Sequence, residues 1–434
     1  MMNILRIASR NLMRYRRRTL LTVSLISLGV MSVLIFVSVA GSFRQMMIGQ
    51  ITDAMLGHVQ LHRRGYVAST DSLPLNLNIK AAEAKKIASI LEKMPQVEAF
   101  STRIKFGAML SNYTETSNIR LTAVHPKQEQ VTLPLLAGRI KGTEIQSLKR
   151  GHLLIPEILA RGMKIKAGAS VVLVATNRDG SVNGKSFRVA GIVEGLSGPG
   201  GRDGYLHIDD ARELLRIKGA EITEVAIRIK DSTSLSQVVG ALKKTFDVKK
   251  TAGKKNAAKK TANKQPDAKT SKGEKPGKLE VHSWRQLSPF STIAKMIDLL
   301  TLFVQIMLVS IVLISVMNVM IMAVYERIRE IGSIAAMGVR PRTILRLFLV
   351  EGLLLGSVGT IVGIVVSFLT VFALSASGFT FSFGRQQGLL LNPTMEPSTV
   401  AIVALGVMVV SALASLQPAI KASRMDPIEA LRHV

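Results

Sequence analysis

The sequence contains no cysteine. That excludes disulfides, a thiolate nucleophile and cysteine-ligated zinc. It is also short of acid: 29 Asp and Glu stand against 57 Lys and Arg, for a formal charge of +28 over 434 residues. So basic a chain invites a nucleic-acid reading, yet 47% of its residues are hydrophobic and the mean hydropathy is +0.30. The two facts are compatible only if the apolar residues are segregated. They are: residues 19–43, 299–325, 352–384 and 397–420 contain no Asp, Glu, Lys or Arg. A bilayer core is crossed by about 20 apolar helical residues. The lack of charge in these stretches therefore excludes an ordinary soluble enzyme and a nucleic-acid partner, and it gives an integral membrane α-helical protein with four transmembrane helices.

A phosphate-binding motif is missing too. GSVNGKS at 180–186 superficially suggests a P-loop, but only three residues separate Gly180 from Gly184 where the motif needs four. Both flanks, 171–176 and 187–193, read as strands, so NRDGSVNGKS is a hairpin loop. GPGG at 198–201 is a flexible loop. The chain has no ATPase motif and is not read as an enzyme. Its seven histidines are scattered. His58 and His62 lie on a strand-like stretch, where positions four apart are too distant to share one ion. No metal site and no catalytic residues are assigned.

What is present begins with a topology. Residues 1–18 carry Ile4, Leu5, Ile7, Ala8, Leu12 and Met13 against Arg6, Arg10, Arg14 and Arg17, an amphipathic helix leading into the first span. A signal peptide is the competing reading, with Ser38-Val39-Ala40 as its cleavage site, but its apolar region should run only about 7–15 residues. Arg14, Arg16, Arg17 and Arg18 precede span one; Arg327, Arg329, Arg340, Arg342 and Arg346 lie between spans two and three; Lys421, Arg424 and Arg432 follow span four. Positive residues in short loops mark the cytoplasm. Both termini and the 326–346 loop are therefore expected in the cytoplasm, and the long segment after Arg44 outside.

The expected layout is a cytoplasmic amphipathic helix at 1–18, transmembrane helix 1 at 19–43, an extracytoplasmic domain at 44–290, transmembrane helix 2 at 296–325, a cytoplasmic coupling helix at 326–340, transmembrane helices 3 and 4 at 344–378 and 398–420, and a cytoplasmic tail at 421–434. The outside domain mixes α and β signals. Residues 57–63, 119–124 and 222–230 alternate as half-buried strands do, while 80–93 and 233–245 have helical spacing. Residues 138–218 are a candidate separate lobe. Residues 248–278 hold eleven lysines against Asp267 and Glu274, with no apolar residue larger than Ala after Val248. Such a segment is expected to be disordered. Two readings of it stand: a solubilising linker, or an electrostatic contact with anionic lipid headgroups or cell-wall polymer.

The stretch 318–363 is the most informative. Span two ends near Tyr325. A short amphipathic helix follows over 326–337, with Ile328, Ile331 and Ala335 on one face. Gly338 ends it as a C-cap, and Pro341 restarts the chain. A short helix bracketed by two spans is a handle for a cytoplasmic partner. Glu351, near the cytoplasmic end of span three, is the one charge at the membrane interface, expected to pair with an Arg or reach out to the headgroups, with a place in a substrate path as the alternative. The scarcity of intramembrane charge favours force transmission over a water-filled path.

Glu326-Arg327-x-Arg329-Glu330-Ile331-Gly332, Ala336-Met337-Gly338, Phe348-Leu349-x-Glu351-Gly352 and the spaced Gly356, Gly359 and Gly363 resemble the FtsX-type permease domain of ABC transporters. So does the C-terminal run from Pro418-Ala419 through Ala422-Ser423-Arg424, Asp426-Pro427 and Glu429 to Arg432. Four spans with a large domain between the first two is the layout of MacB and of the lipoprotein-releasing permeases LolC and LolE. The resemblance implies an α/β extracytoplasmic domain of MacB/LolC periplasmic type and a place in the bacterial inner membrane. It implies a separate cytoplasmic ABC ATPase, two copies per complex, which holds the ATP and Mg, this chain binding no cofactor itself. A second permease copy or a paralogue completes the complex, and a periplasmic carrier or adaptor is a further possible partner, besides membrane lipids. Glu326, Arg327, Arg329, Glu330, Ile331, Gly332 and Gly338 take the role of ATPase coupling. Lipoprotein or lipid release is the first functional expectation. Efflux of macrolides, peptides or other amphiphiles, and regulation of cell-wall hydrolases, are the alternatives.

Overall fold

The computed structural model describes residues 2–194, 202–247, 279–288, 290–383, 386–426, 428 and 430. The lysine-rich stretch 248–278 and the GPGG loop at 198–201 lie outside the described residues, as does the end of the tail. The chain divides into two compact units, a helical one of Met1–Met46 with Ala294–Val434 and an α/β one of Met47–Ile293.

In the helical unit the amphipathic helix Met2–Arg14 breaks at Tyr15, and the first span runs as one helix over Arg16–Ile51. The other three are Phe290–Glu326, Pro341–Ala376 and Pro397–Ser423. All four are long and apolar enough to cross a membrane. The first two exceed the lengths expected from charge gaps, 19–43 and 296–325. An uncharged run measures the part that needs lipid, whereas helix continues through 44–51 and 290–295, where no Pro stops it.

Glycines set how closely the spans pack. A Cβ on Gly352 would lie 2.5 Å from that of Ser415, and one on Gly356 would lie 2.5 Å from Ser411 Oγ, both on the fourth span. Gly359 and Gly363 instead face the first span, where a Cβ would come within 2.6 Å of Ile26 and 2.7 Å of Val30. The third span is thus the hub, with one glycine pair against each neighbour. Small residues at such positions let helices approach where no hydrophobic effect drives them together.

The α/β unit is built on one ten-stranded sheet. Its strands are β1 (Val59–Arg63), β2 (Val97–Ser111), β3 (Thr116–Val124), β4 (Ile140–Lys141), β5 (His152–Pro156), β6 (Ser170–Thr176), β7 (Val182–Val193), β8 (Asp203–His207), β9 (Glu224–Ile229) and β10 (Leu279–Ser283), in the order β10-β1-β9-β2-β3-β8-β5-β7-β4, with β6 bridging β2 and β7. Pairing is antiparallel except β3–β8 and β5–β7. The strands of 138–218 therefore continue the common sheet instead of forming a separate lobe, because β8 and β6 pair back onto β3 and β2. The helices expected at 80–93 and 233–245 are Ala81–Leu91 and Leu235–Asp247. The turn between β6 and β7 takes only 177–181; Asn183, Gly184 and Lys185 already belong to β7, and Lys185 Nζ meets Asp210 at 2.9 Å and Glu213 at 2.7 Å, so no phosphate loop exists there.

β1 corrects another expectation. Read as half-buried, it is buried on both faces: Val59 and Leu61 enter the main core, while Gln60 and His62 on the opposite face are 3% and 2% exposed. Polar residues alternate along it because that second face meets a buried polar network, not water.

Candidate coupling site

The second span ends at Glu326, and Arg327 leaves helical geometry with φ −113° and ψ 21°. The loop helix then runs over Ile328–Ala336. Glu326 and Glu330, four apart in the helix expected over 326–337, would share one face. The break separates them, because Arg327 turns inward and takes the corner. Its guanidinium Nη1 donates to both oxygens of Glu351, at 3.2 and 3.3 Å, and its Nε donates to Glu330 at 3.2 Å. It also lies 5.8 Å from the Tyr15 ring and 6.0 Å from the Phe348 ring, within cation–π range. Both members of the Arg327–Glu351 pair are buried. A buried charge is tolerated when it is paired and hydrogen-bonded, and here one arginine satisfies carboxylates on two helices. Glu351 is thus paired with an arginine, one of the readings the sequence left open.

The remaining carboxylates tie in the N-terminal segment. Glu326 meets Arg18 at 3.0 Å, and Arg18 also donates to the Val319 carbonyl at 2.8 Å. Glu330 meets Arg14 at 3.4 Å. The amphipathic helix, both sides of the loop and the third span are therefore held at one end of the helical unit. The far end has its own tie between the first two spans, Arg44 to Asp298 at 2.8 Å.

The loop helix has two faces. Ile331 and Gly332 are buried against the spans, so they are packing residues. Arg329, Ser333, Ala336 and Met337 point outward on the other face, with Met337 74% exposed. At its end Gly338 has φ +83°, its N–H donates to Ala335 O at 3.0 Å, and the N–H of Val339 reaches Ile334 O at 3.4 Å. This is the two-bond C-terminal motif that needs a left-handed residue, which glycine adopts without strain. Ser333 was not singled out from sequence, and Ala336 and Met337 only within the resembling motif, although their spacing from Arg329 carries the helical period. The pairings of Arg14, Tyr15 and Arg18 could not have been read there, since their partners lie some three hundred residues away.

A cavity of about 370 Å³ opens near the end of the helical unit away from the loop helix. Phe36, Val39, Ala40 and Phe43 of the first span, Ile297, Leu300 and Thr301 of the second, and Phe379 and Leu391 between the third and fourth line it. The Thr301 hydroxyl is turned back onto the Ile297 carbonyl at 2.8 Å, leaving the lining apolar.

Two families match the chain: the MacB-like periplasmic core domain over residues 19–245, more than half of the chain, and the FtsX-like permease C-terminal domain over 302–427. The lipoprotein-releasing system transmembrane protein LolC of Neisseria meningitidis is 22% identical over 96% of this chain and 94% of its own length. The macrolide export ATP-binding/permease protein MacB of Vibrio parahaemolyticus is 38% identical over 114 residues, 26% of this chain and 16% of that protein. The periplasmic region of MacB from Actinobacillus actinomycetemcomitans superposes with a TM-score of 0.34 and 12% identity, covering 58% of this chain and 98% of that one. The class is thus a multi-pass ABC-transporter permease, which is not itself the catalytic subunit. This chain belongs to the FtsX-type permease family and carries a MacB-like periplasmic core domain.

Proposed function

We propose that this chain is the permease subunit of an inner-membrane ABC transporter that extracts lipid-anchored proteins or lipids from the outer leaflet. The observation that carries the substrate class is the cavity between the first and second spans. Its volume falls in the ~300–1,000 Å³ range of ligand sites, and its lining offers no charge and no free hydrogen-bonding group. An acyl chain fits such a lining; a charged peptide would lose hydration there without compensation. Each buried methylene of an anchor is worth about 0.8 kcal/mol, so release from a bilayer needs both an apolar acceptor and an external energy source. Likeness to LolC along nearly the whole chain supports the same reading.

A separate cytoplasmic ATPase, binding ATP and Mg, supplies that energy. It docks on the outward face of the loop helix, Arg329, Ser333, Ala336 and Met337, while Glu326, Arg327 and Glu330 fix that helix to the spans. Gly338 stops it at the right length. A second permease copy or paralogue faces the second span, and both termini lie in the cytoplasm with the loop helix. The test is photocrosslinking from Val39 and Leu300 to acylated protein in proteoliposomes containing the chain and its ATPase. Crosslinks from Leu300 that vanish on Val39→Glu support the reading. Crosslinks to a macrolide or peptide probe with none to acylated protein would replace it with amphiphile efflux.

A further inference from the structure

The π-helical turn Thr52–Leu56 closes the first-span helix and delivers it to the sheet. Helix ends leave carbonyls without partners, at the negative end of the dipole. Two are satisfied by side chains from the sheet: Gln60 Nε2 donates to Leu56 O at 2.7 Å, and Arg103 Nη1 donates to Met55 O at 3.2 Å. Arg103 is 1% exposed and does more than cap. Its guanidinium pairs with Glu129 at 2.7 Å and with Glu224 at 2.9 Å.

These partners come from three elements. Arg103 on β2 sits directly opposite Glu224 on β9, which in turn sits opposite His62 on β1. His62 Nε2 is 3.3 Å from Glu224, and Lys105 Nζ is 3.0 Å from it. Glu129 comes from the helix Pro126–Thr132 lying over the same face. The ring of Tyr66 stacks on His62, 5.1 Å between centroids. Two carboxylates are balanced by one arginine and one lysine. Burial alone would raise the Glu224 carboxyl, but Lys105, His62 and Arg103 outweigh it and hold it well below the ordinary carboxylate range.

We propose that Arg103 is the positioning residue through which movement of the first span reaches the sheet. Its Nη1 grips Met55 O in the last turn of the span helix and Glu224 on β9 together, and its Nε and Nη2 lock that grip to Glu129 on the helix Pro126–Thr132. A hydrophobic residue of equal size could fill the volume, and such replacements in buried ion networks are often neutral for stability. It could not hold a carbonyl at the end of a moving helix. This inference rests on the transport reading for its purpose, but the rigidity it asserts is measurable without any substrate.

The variant that tests it is Arg103→Met with Glu129→Leu, which strands no charge because Glu224 keeps Lys105 and His62. Arg103→Lys is the companion, keeping the charge while losing the fork that reaches both carboxylates and the carbonyl. The cysteine-free chain takes spin labels at Met47→Cys and Thr116→Cys in the full-length protein, reconstituted with its ATPase. The parent should give one narrow distance distribution, unchanged between nucleotide-free and ATP-trapped states. Both Arg103 variants should broaden it and make it nucleotide-dependent, while Trp284 emission shows the unit still folded. In transport, acylated protein released per ATP should fall about tenfold, the factor of one lost charge-assisted hydrogen bond, with ATP turnover per folded complex retained. A narrow, nucleotide-independent distribution in both variants overturns the proposal. If the parent shows no lipoprotein release, the substrate reading fails and the distance measurement still decides the joint.

Discussion

The ion networks around Arg103 and around Arg327 are built differently. In the α/β unit, Arg103, Glu129, Glu224 and His62 are all 2% exposed or less. At the loop-helix end only Arg327 and Glu351 are buried; the side chains of Glu326 and Glu330 are 40% and 41% exposed, and Arg14 is 69% exposed. Exposed pairs are worth about 0–1 kcal/mol and weaken with salt, whereas breaking a buried pair costs about 3–5 kcal/mol. The first network is a permanent joint. The second is one fixed pair with a rim that opens and closes cheaply, which suits the docking face proposed for an ATPase.

The largest expected effect comes from breaking the permanent joint outright. Arg103→Ala leaves Glu129 buried with no cation and should destabilise the α/β unit by about 3–5 kcal/mol. Trp284, the sole tryptophan, is 4% exposed within that unit, so its emission reads the unfolding midpoint. Next in size is the fixed pair of the other network. Arg327→Met and Glu351→Gln should each lower ATPase stimulation strongly, and the double variant should do little further harm, a coupling of about 1–3 kcal/mol in a double-mutant cycle. Additive losses would mean the two residues act separately.

Gly338→Val should fray the loop helix by placing a β-branched residue at φ +83°, a cost of about 1–2 kcal/mol. Space is not the issue, since nothing lies within 4 Å of a Cβ there, so Gly338→Asn should be far milder. Smallest is the rim. Glu326→Gln with Glu330→Gln should change stability by less than about 1 kcal/mol and reduce the salt dependence of ATP turnover. A severe loss of assembly would show that these carboxylates bind the ATPase directly.

Acid should also separate the two regions. His58, His125 and His282 in the α/β unit are all held below the usual histidine value, first of all by burial. For each, the unfolded chain takes up its proton before the folded one. The stability of this unit should therefore fall as the pH drops below about 6.5. Glu224 works lower down: its carboxyl is depressed, so its contribution is present above the unfolded value and fades only as pH falls through the folded one. A Trp284 midpoint that is flat between pH 7 and pH 5 would contradict the histidine assignment.

Much of the helical unit was legible in the sequence. Charge gaps located four spans, and Gly338 announced its own cap. The corner at Arg327 was not legible, because what turns it is Glu351 on the next helix and Tyr15 at the other end of the chain. In the α/β unit, local alternation found β1, β3 and β9. It could not say that β1 is buried on both faces, since the cover comes from the turn Thr52–Leu56 over Gln60 and from Tyr66 stacked on His62. Nor could it join 138–218 to the common sheet, which depends on the long-range pairs β3–β8 and β2–β6.

The central claim is that ATP-driven movement enters at the loop helix and leaves through the Arg103 joint. One experiment addresses it directly: ATP hydrolysis and release of acylated protein measured together in proteoliposomes, for the parent, for Met337→Asp on the loop-helix face, and for Arg103→Met/Glu129→Leu. The account predicts that Met337→Asp loses stimulated hydrolysis and release alike, while the joint variant keeps hydrolysis and loses release. If the joint variant releases acylated protein at the parental yield per ATP, or Met337→Asp hydrolyses ATP normally, the account is wrong.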